Sequence, residues 1–170
     1  MLNRRNFTRA GLSIVTIGAI GQSLSYAHNH GHKKGEDMND TIDWKAIKKT
    51  EWKTRLDPEE YRVLRKEGTE RSFSSDLNNE KREGTFVCAA CALPLFTSEA
   101  KFESGTGWPS FFQPIAGNVE TKRDFKMVLP RTEYHCKRCG GHQGHVFKDG
   151  PKPTGLRFCN NGVALDFVAS

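Results

Sequence analysis

Two Cys-x2-Cys pairs, Cys88-Ala89-Ala90-Cys91 and Cys136-Lys137-Arg138-Cys139, with 44 residues between Cys91 and Cys136, constrain the fold more than any other feature of this chain. In each pair a tight turn brings two sulfurs to one side, and two such turns facing each other supply the tetrahedral S4 geometry that Zn(II) accepts. Closing the long intervening loop through a metal removes entropy from the unfolded chain, which assigns the ion a structural role. Any fold of the chain must then bring residues 88–91 and 136–139 face to face. Two other readings stand beside one zinc per chain. A pair of disulfides is reasonable in an oxidising compartment. A redox-active Cys-x2-Cys usually opens a helix, for which neither pair has the sequence.

Around these pairs the texture is that of strands. Short apolar runs broken by Gly, Pro and Asn recur at Thr85–Cys88, Pro94–Phe96, Lys126–Leu129, His145–Phe147, Leu156–Cys159 and Val163–Val168, and no helix-length apolar period joins them. The expected fold is mainly β, a compact antiparallel domain with short N-terminal helices applied as a cover. Ile42, Trp44, Ala46, Ile47 and Trp52 suggest a first short helix between 42 and 56. Asp57-Pro58-Glu59-Glu60 then supplies an N-cap, a proline at the first helical position and a glutamate at the third, with Gly68 as a stop.

Residues 1–27 hold Arg4-Arg5, an apolar run from Ala10 to Gly21 and Ser25-Tyr26-Ala27, with no acidic residue. These are the three parts of an export signal, and the adjacent arginines before Phe7 resemble the twin-arginine signal of bacteria. A membrane anchor needs about 20 apolar residues, whereas this run is shorter and carries Ser13, Thr16 and three glycines. The division expected is therefore 1–27 as a cleaved signal, 28–41 as a disordered His-containing linker and 42–170 as the domain, working in the periplasm or outside the cell. No stable membrane span remains after cleavage. A mature His28-Asn29-His30 terminus has the donors to chelate Cu(II) or Ni(II), but a polar tail is the simpler reading. The formal charge of +6 includes Arg4, Arg5 and Arg9; without them 23 basic residues face 20 acidic ones, an ordinary balance that gives no reason to expect nucleic acid as a partner.

The fifth cysteine, Cys159, stands in Leu156-Arg157-Phe158-Cys159-Asn160-Asn161-Gly162. On a strand, Arg157, Cys159 and Asn161 point the same way. The cation would then raise the thiolate fraction, and a histidine from His142-Gln143-Gly144-His145 could donate a proton to a leaving atom. A buried inert thiol is the competing reading for Cys159, and two ordinary histidines the competing one for the pair.

Taken with Ser104-Gly105-Thr106-Gly107-Trp108-Pro109-Ser110-Phe111, the ordered set of knuckles, Gly140-Gly141-His142-Gln143-Gly144-His145-Val146-Phe147 and Arg157-Phe158-Cys159-Asn160-Asn161 resembles the B-type methionine sulfoxide reductases from about Trp44 to Phe167. The resemblance implies a coiled antiparallel β fold with structural zinc and thiol-dependent reduction of methionine-R-sulfoxide, free or in oxidised proteins. It implies Cys159 as the nucleophile that keeps the oxygen as a sulfenic acid, His145 as proton donor, and His142, Asp149, Arg157 and Asn161 as polar active-site positions. Trp108 matches the aromatic that packs on the substrate methyl group, and Phe147 is a second substrate-binding position. Where the family often carries its resolving cysteine this chain has Thr106, so the expected reductant is an external thiol, thioredoxin-like or small, acting on a monomer. Asn160 and Gly162 also depart from the family, which more often has an aliphatic residue and a serine there. The alternative function is a non-catalytic zinc β-module that binds a protein partner.

Overall fold

The computed structural model describes residues 42–126 and 130–170, and the expected signal, the linker with its His28-Asn29-His30 terminus, and positions 127–129 lie outside them. The described residues form two helices and nine strands. Helix α1 is Lys49–Arg55 and α2 is Pro58–Lys66. The first is shorter than the 42–56 expected, because Ile42 is exposed and Asp43 turns the chain by accepting from the Lys45 and Ala46 N–H groups. At the start of α2 the Glu60 carboxylate accepts from the Asp57 N–H at 2.9 Å, the reciprocal half of a capping box. The helix ends differently from expectation. Glu67, not Gly68, takes the left-handed conformation (φ 53), and Gly68 instead donates its N–H to the Arg62 carbonyl at 3.0 Å.

Strands β1 (Gly84–Cys88) and β2 (Pro94–Thr97) join β9 (Leu165–Ala169) in a three-stranded sheet of order β2-β1-β9. A six-stranded sheet runs β3 (Lys101–Phe102), β4 (Ser110–Phe111), β8 (Arg157–Asn160), β7 (His142–Phe147), β6 (Arg131–Cys136), β5 (Val119–Asp124). Every pairing is antiparallel. β5 ends at Asp124 and the chain bends at Lys126, while positions 127–129 of the strand expected at Lys126–Leu129 lie outside the described residues. Strand β5 is an edge strand with Thr121, Lys122 and Arg123 exposed, so it lacks the apolar alternation that would have announced it. Among the described residues no helix is long and apolar enough to cross a membrane.

Aromatic rings join the two sheets. Phe96 stacks on Phe111 with centroids 4.1 Å apart, Phe86 meets Phe111 edge-on at 4.9 Å, and Tyr134 meets Phe158 edge-on at 5.3 Å. Removing one such buried ring costs about 3–5 kcal/mol, so this stack is the keel of the domain. Its consequence for the site comes from the period of two. Phe158 and Asn160 of β8 turn inward to the stack, which leaves Arg157 and Cys159 on the opposite face.

Candidate active site

The four-cysteine corner forms where the ends of β1 and β6 meet, beside α2. Cys88, Cys91, Cys136 and Cys139 are all buried, and their four sulfurs lie within 4.8 Å of one another. The contacts Cys88–Cys139 and Cys91–Cys136 measure 3.7 and 3.5 Å. Those separations suit the edge of about 3.8 Å expected of a tetrahedron with metal–sulfur bonds of about 2.3 Å, and exceed the S–S bond of about 2.05 Å. The donor set thus fits a metal. Both knuckles turn alike: the residue after the second cysteine, Ala92 in one and Gly140 in the other, is left-handed, and its N–H returns to the carbonyl of the first cysteine. Arg65 braces the corner, its guanidinium 3.6 Å above the Trp52 ring and donating to the Cys139 carbonyl at 2.8 Å.

On the outer face of the six-stranded sheet, Cys159 lies directly across from His145 on β7 and from Ser110 on β4. A cavity of about 130 Å³ opens there, lined by Trp108, His145, Phe147, Cys159 and Asn161. Five of the residues singled out in the sequence thus share one concave site. His142, Arg157 and Asp149 do not line it. Arg157 is buried beside it, its guanidinium 4.4 Å from the Phe147 ring centre and paired in two bonds, 2.9 and 2.8 Å, with the exposed Asp149. His142 is buried behind His145, the two ring centroids 5.4 Å apart.

The thiol is half-buried, and burial pushes its pKa up. The Arg157 charge and a hydrogen bond from Thr106 pull the other way and do not fully offset it. The expectation that Arg157 enriches the thiolate is therefore corrected in its net sign: the cation acts as expected, but desolvation of the charged form outweighs it. Thr106 itself belongs to a hydroxyl chain, Thr106 to Ser104 at 2.8 Å and Ser104 to Ser110 at 2.8 Å.

Each imidazole is held by a carboxylate. His145 Nε2 contacts Asp124 Oδ2 at 2.8 Å, and His142 Nδ1 contacts Glu133 Oε1 at 2.7 Å. An ionised carboxylate only accepts, so these ring nitrogens carry the hydrogens and His145 is left with Nδ1 for any other contact. Asp124 is kept far below the usual carboxylate range by the Lys126 main-chain N–H, by His145 and by Arg131. Burial opposes ionisation of Glu133, yet hydrogen bonds from His135 and His142 prevail and bring its pKa to about 2. Burial lowers the pKa of His145; Asp124 raises it and the Arg131 charge lowers it further.

Asn161 is fixed from both sides. Its Oδ1 accepts from the Glu70 N–H and its Nδ2 donates to the Gln143 carbonyl, both at 2.9 Å. Asn160, a departure from the family pattern, fits the inner face: fully buried, it accepts from the Tyr134 hydroxyl at 2.5 Å and donates to Gln143 Oε1 at 3.2 Å, while Gln143 Nε2 reaches Cys88 Sγ at 3.4 Å. Gly144 between the histidines allows a close approach of β7 and β8, since a Cβ there would lie 1.9 Å from the Cys159 carbonyl oxygen.

Sequence reasoning missed Thr69, Arg131 and Gly144, which also line the cavity, as well as the carboxylates Glu70, Asp124 and Glu133; Thr106, singled out as standing where a resolving cysteine often lies, does face the thiol. Gly144 had a signal in the glycine set between two histidines. Asp124 had none, being 21 residues from His145 and reaching it across an intervening strand.

The SelR domain matches residues 56–169. The chain is 52% identical over 118 residues, 69% of its length and 90% of the relative's, to the peptide methionine sulfoxide reductase MsrB of Leptospira interrogans. It is 49% identical over 159 residues, 93% of its length and 75% of the relative's, to the chloroplastic peptide methionine sulfoxide reductase B1 of Arabidopsis thaliana. With the MsrB of Methanosarcina barkeri it shares 53% identity over 126 residues, 72% of this chain and 89% of that one. A domain match over most of the chain, with relatives of this identity spanning most of their own length, establishes that the chain belongs to the SelR-domain family, alongside the peptide methionine sulfoxide reductases of the MsrB type.

Proposed function

We propose that this enzyme reduces methionine-R-sulfoxide, free or in oxidised proteins, to methionine. The observation that carries the reading is the meeting of Cys159, His145, Trp108, Phe147 and Asn161 around one cavity in a chain about 50% identical to methionine sulfoxide reductases. Trp108 and Phe147 supply apolar surface for the S-methyl group and side-chain methylenes. The Cys159 sulfur attacks the sulfoxide sulfur and takes over its oxygen as the S–O bond to the substrate breaks, leaving methionine and a sulfenic acid. One proton ends on the transferred oxygen: Cys159 gives up its own as it attacks, and His145 relays it, donating as an imidazolium from Nδ1 while Asp124 holds Nε2. Asn161 hydrogen-bonds the sulfoxide, Arg157 lowers the cost of the thiolate and is itself steadied by Asp149, and His142 with Glu133 backs His145.

The sulfenic acid is then reduced by two equivalents of an external thiol, thioredoxin-like or small, giving a disulfide of that thiol and water. The other four described cysteines stand together at the metal corner and Thr106 faces Cys159. Cys88, Cys91, Cys136 and Cys139 would hold Zn(II), which would supply no redox chemistry but would tie β1 of one sheet to β6 of the other. The twin-arginine-like leader supports action outside the cytoplasm. The alternative, a non-catalytic module binding a protein partner, predicts that Cys159→Ser leaves function intact.

One assay tests the reading. The metal-loaded chain, dithiothreitol and each epimer of a methionine sulfoxide are incubated: turnover of R alone, abolished in Cys159→Ser, is expected, and no turnover of either epimer would overturn it.

A further inference from the structure

We propose that Glu70 is a positioning residue for this reaction, holding Asn161 and Trp108 at their places in the wall of the cavity; the inference rests on the function proposed above. Glu70 is buried, 8% exposed, and every hydrogen-bonding group it has is spent on the site's surroundings. Its main-chain N–H donates to Asn161 Oδ1 at 2.9 Å, and its carbonyl accepts from the Trp108 indole Nε1 at 3.2 Å. Its carboxylate accepts from the N–H groups of Gly162 and Val163 at 2.6 and 2.9 Å. One residue therefore touches both lining side chains and the turn that leaves Asn161.

The carboxylate is what keeps this arrangement in place. Gly162 and Val163 open a 3-10 turn, Gly162–Ala164, directly after Asn161, and an acceptor with two oxygens caps both of its first N–H groups, in charge-assisted bonds that are the stronger kind. Burial pushes the Glu70 pKa up while these two N–H groups draw it down. The seat is closely built: a Cβ on Gly162 would lie 1.9 Å from Ser75 Oγ and 3.3 Å from Glu70 Oε1. The carboxylate thereby clamps the backbone at residue 70, and with it the N–H and carbonyl that hold Asn161 and Trp108. Cys159 is outside this clamp, its thiol being addressed by Arg157 and Thr106.

The test compares Glu70→Gln and Glu70→Ala with the wild-type metal-loaded chain. Three quantities are measured: kcat and KM for a blocked methionine-R-sulfoxide with dithiothreitol, the rate of Cys159 alkylation by iodoacetamide, and the melting temperature. Gln keeps one acceptor and turns a donor toward the second N–H, so kcat/KM is expected to fall about tenfold, mainly through KM, and about a hundredfold for Ala, the scale of loss that follows a misplacement of about 1 Å. Cys159 alkylation stays within about twofold of wild type. If kcat/KM of Glu70→Gln is unchanged while the melting temperature falls, Glu70 is a brace of the fold and the proposal is overturned. A fall in alkylation that parallels the fall in activity overturns it as well. Should Glu70→Ala not fold, Glu70→Gln decides. A wild-type chain inactive on both epimers refutes the functional reading instead, and the Asn161 side-chain amide NMR resonances, which shift in Glu70→Gln if the clamp exists, then decide the inference separately.

Discussion

The sharpest expectation concerns Gly144→Ala. A Cβ on residue 144 would lie 1.9 Å from the Cys159 carbonyl oxygen, 3.0 Å from the Cys159 carbonyl carbon and 3.2 Å from the Asn160 Cα. All three are backbone atoms, so no side chain can swing aside. A tolerable carbon–oxygen contact is about 3.3 Å, and β7 and β8 must therefore part by about 1.4 Å at the catalytic step of the sheet. The bonds that pay for the parting are those from the Asn161 N–H and from Asn161 Nδ2 to the Gln143 carbonyl, both 2.9 Å. At about 1 kcal/mol each their loss costs about 2 kcal/mol, a fall in melting temperature of roughly 5–10 °C for a domain of this size. The kinetic effect is larger than that modest loss suggests, because His145 and Cys159 face each other across this very pair of strands. A displacement of more than about 1 Å costs on the order of a hundredfold in kcat/KM. The assay is reduction of a blocked methionine-R-sulfoxide alongside thermal unfolding followed by circular dichroism. A variant that melts at the wild-type temperature and keeps kcat/KM within threefold would show that the strand contact does not set the site.

Three further outcomes follow from the same geometry. Because the His145 pKa is lowered and the Cys159 pKa raised, kcat/KM is expected to hold a broad plateau, falling on the acid side below the ordinary histidine value and on the alkaline side above the ordinary thiol value; Asp124→Asn, by removing the charge that supports the imidazolium, moves the acid limb lower still and reduces the plateau about tenfold or more. A profile of the variant superimposable on wild type would remove Asp124 from the mechanism. Stripping the metal with a chelator, or Cys136→Ser, is expected to abolish the cooperative melt, read by circular dichroism, since four buried thiols otherwise lose their common partner. Thr106→Cys places a second thiol against Cys159 and is expected, after one turnover without reductant, to lose two titratable thiols to an internal disulfide, whereas the wild-type chain yields a sulfenic acid trapped by dimedone.

What could be read in advance divides by the range over which the signal acts. Thiols have few roles and two tight spacings named four of them, so the metal corner was visible although its halves are far apart in sequence. Helix α2 was visible because Asp57, Pro58 and Glu60 act within one turn. The partners of the site were not. Asp124 and His145, 21 residues apart, and Glu70 and Asn161, 91 apart, meet only once the order β8-β7-β6-β5 exists, and nothing in either local stretch announces the other. The sign of the Cys159 shift was hidden for a related reason: Arg157 stands in the sequence two residues away, but the burial that opposes it is a property of the assembled sheet. Strand β5 escaped notice because an edge strand with both faces near water carries no alternation, and the two-residue strands β3 and β4 are shorter than any periodicity.

The contrast in exposure among the five cysteines has a consequence for an enzyme that meets oxidised substrates. The four corner thiols are between 0 and 3% exposed, while Cys159 is half-open to the cavity. Peroxide or a disulfide arriving from solution therefore encounters the sulfur whose oxidation is part of the cycle before any of the four whose oxidation would unmake the buried corner. The architecture acts as a sacrificial ordering: damage falls first where the ordinary reductant already repairs it.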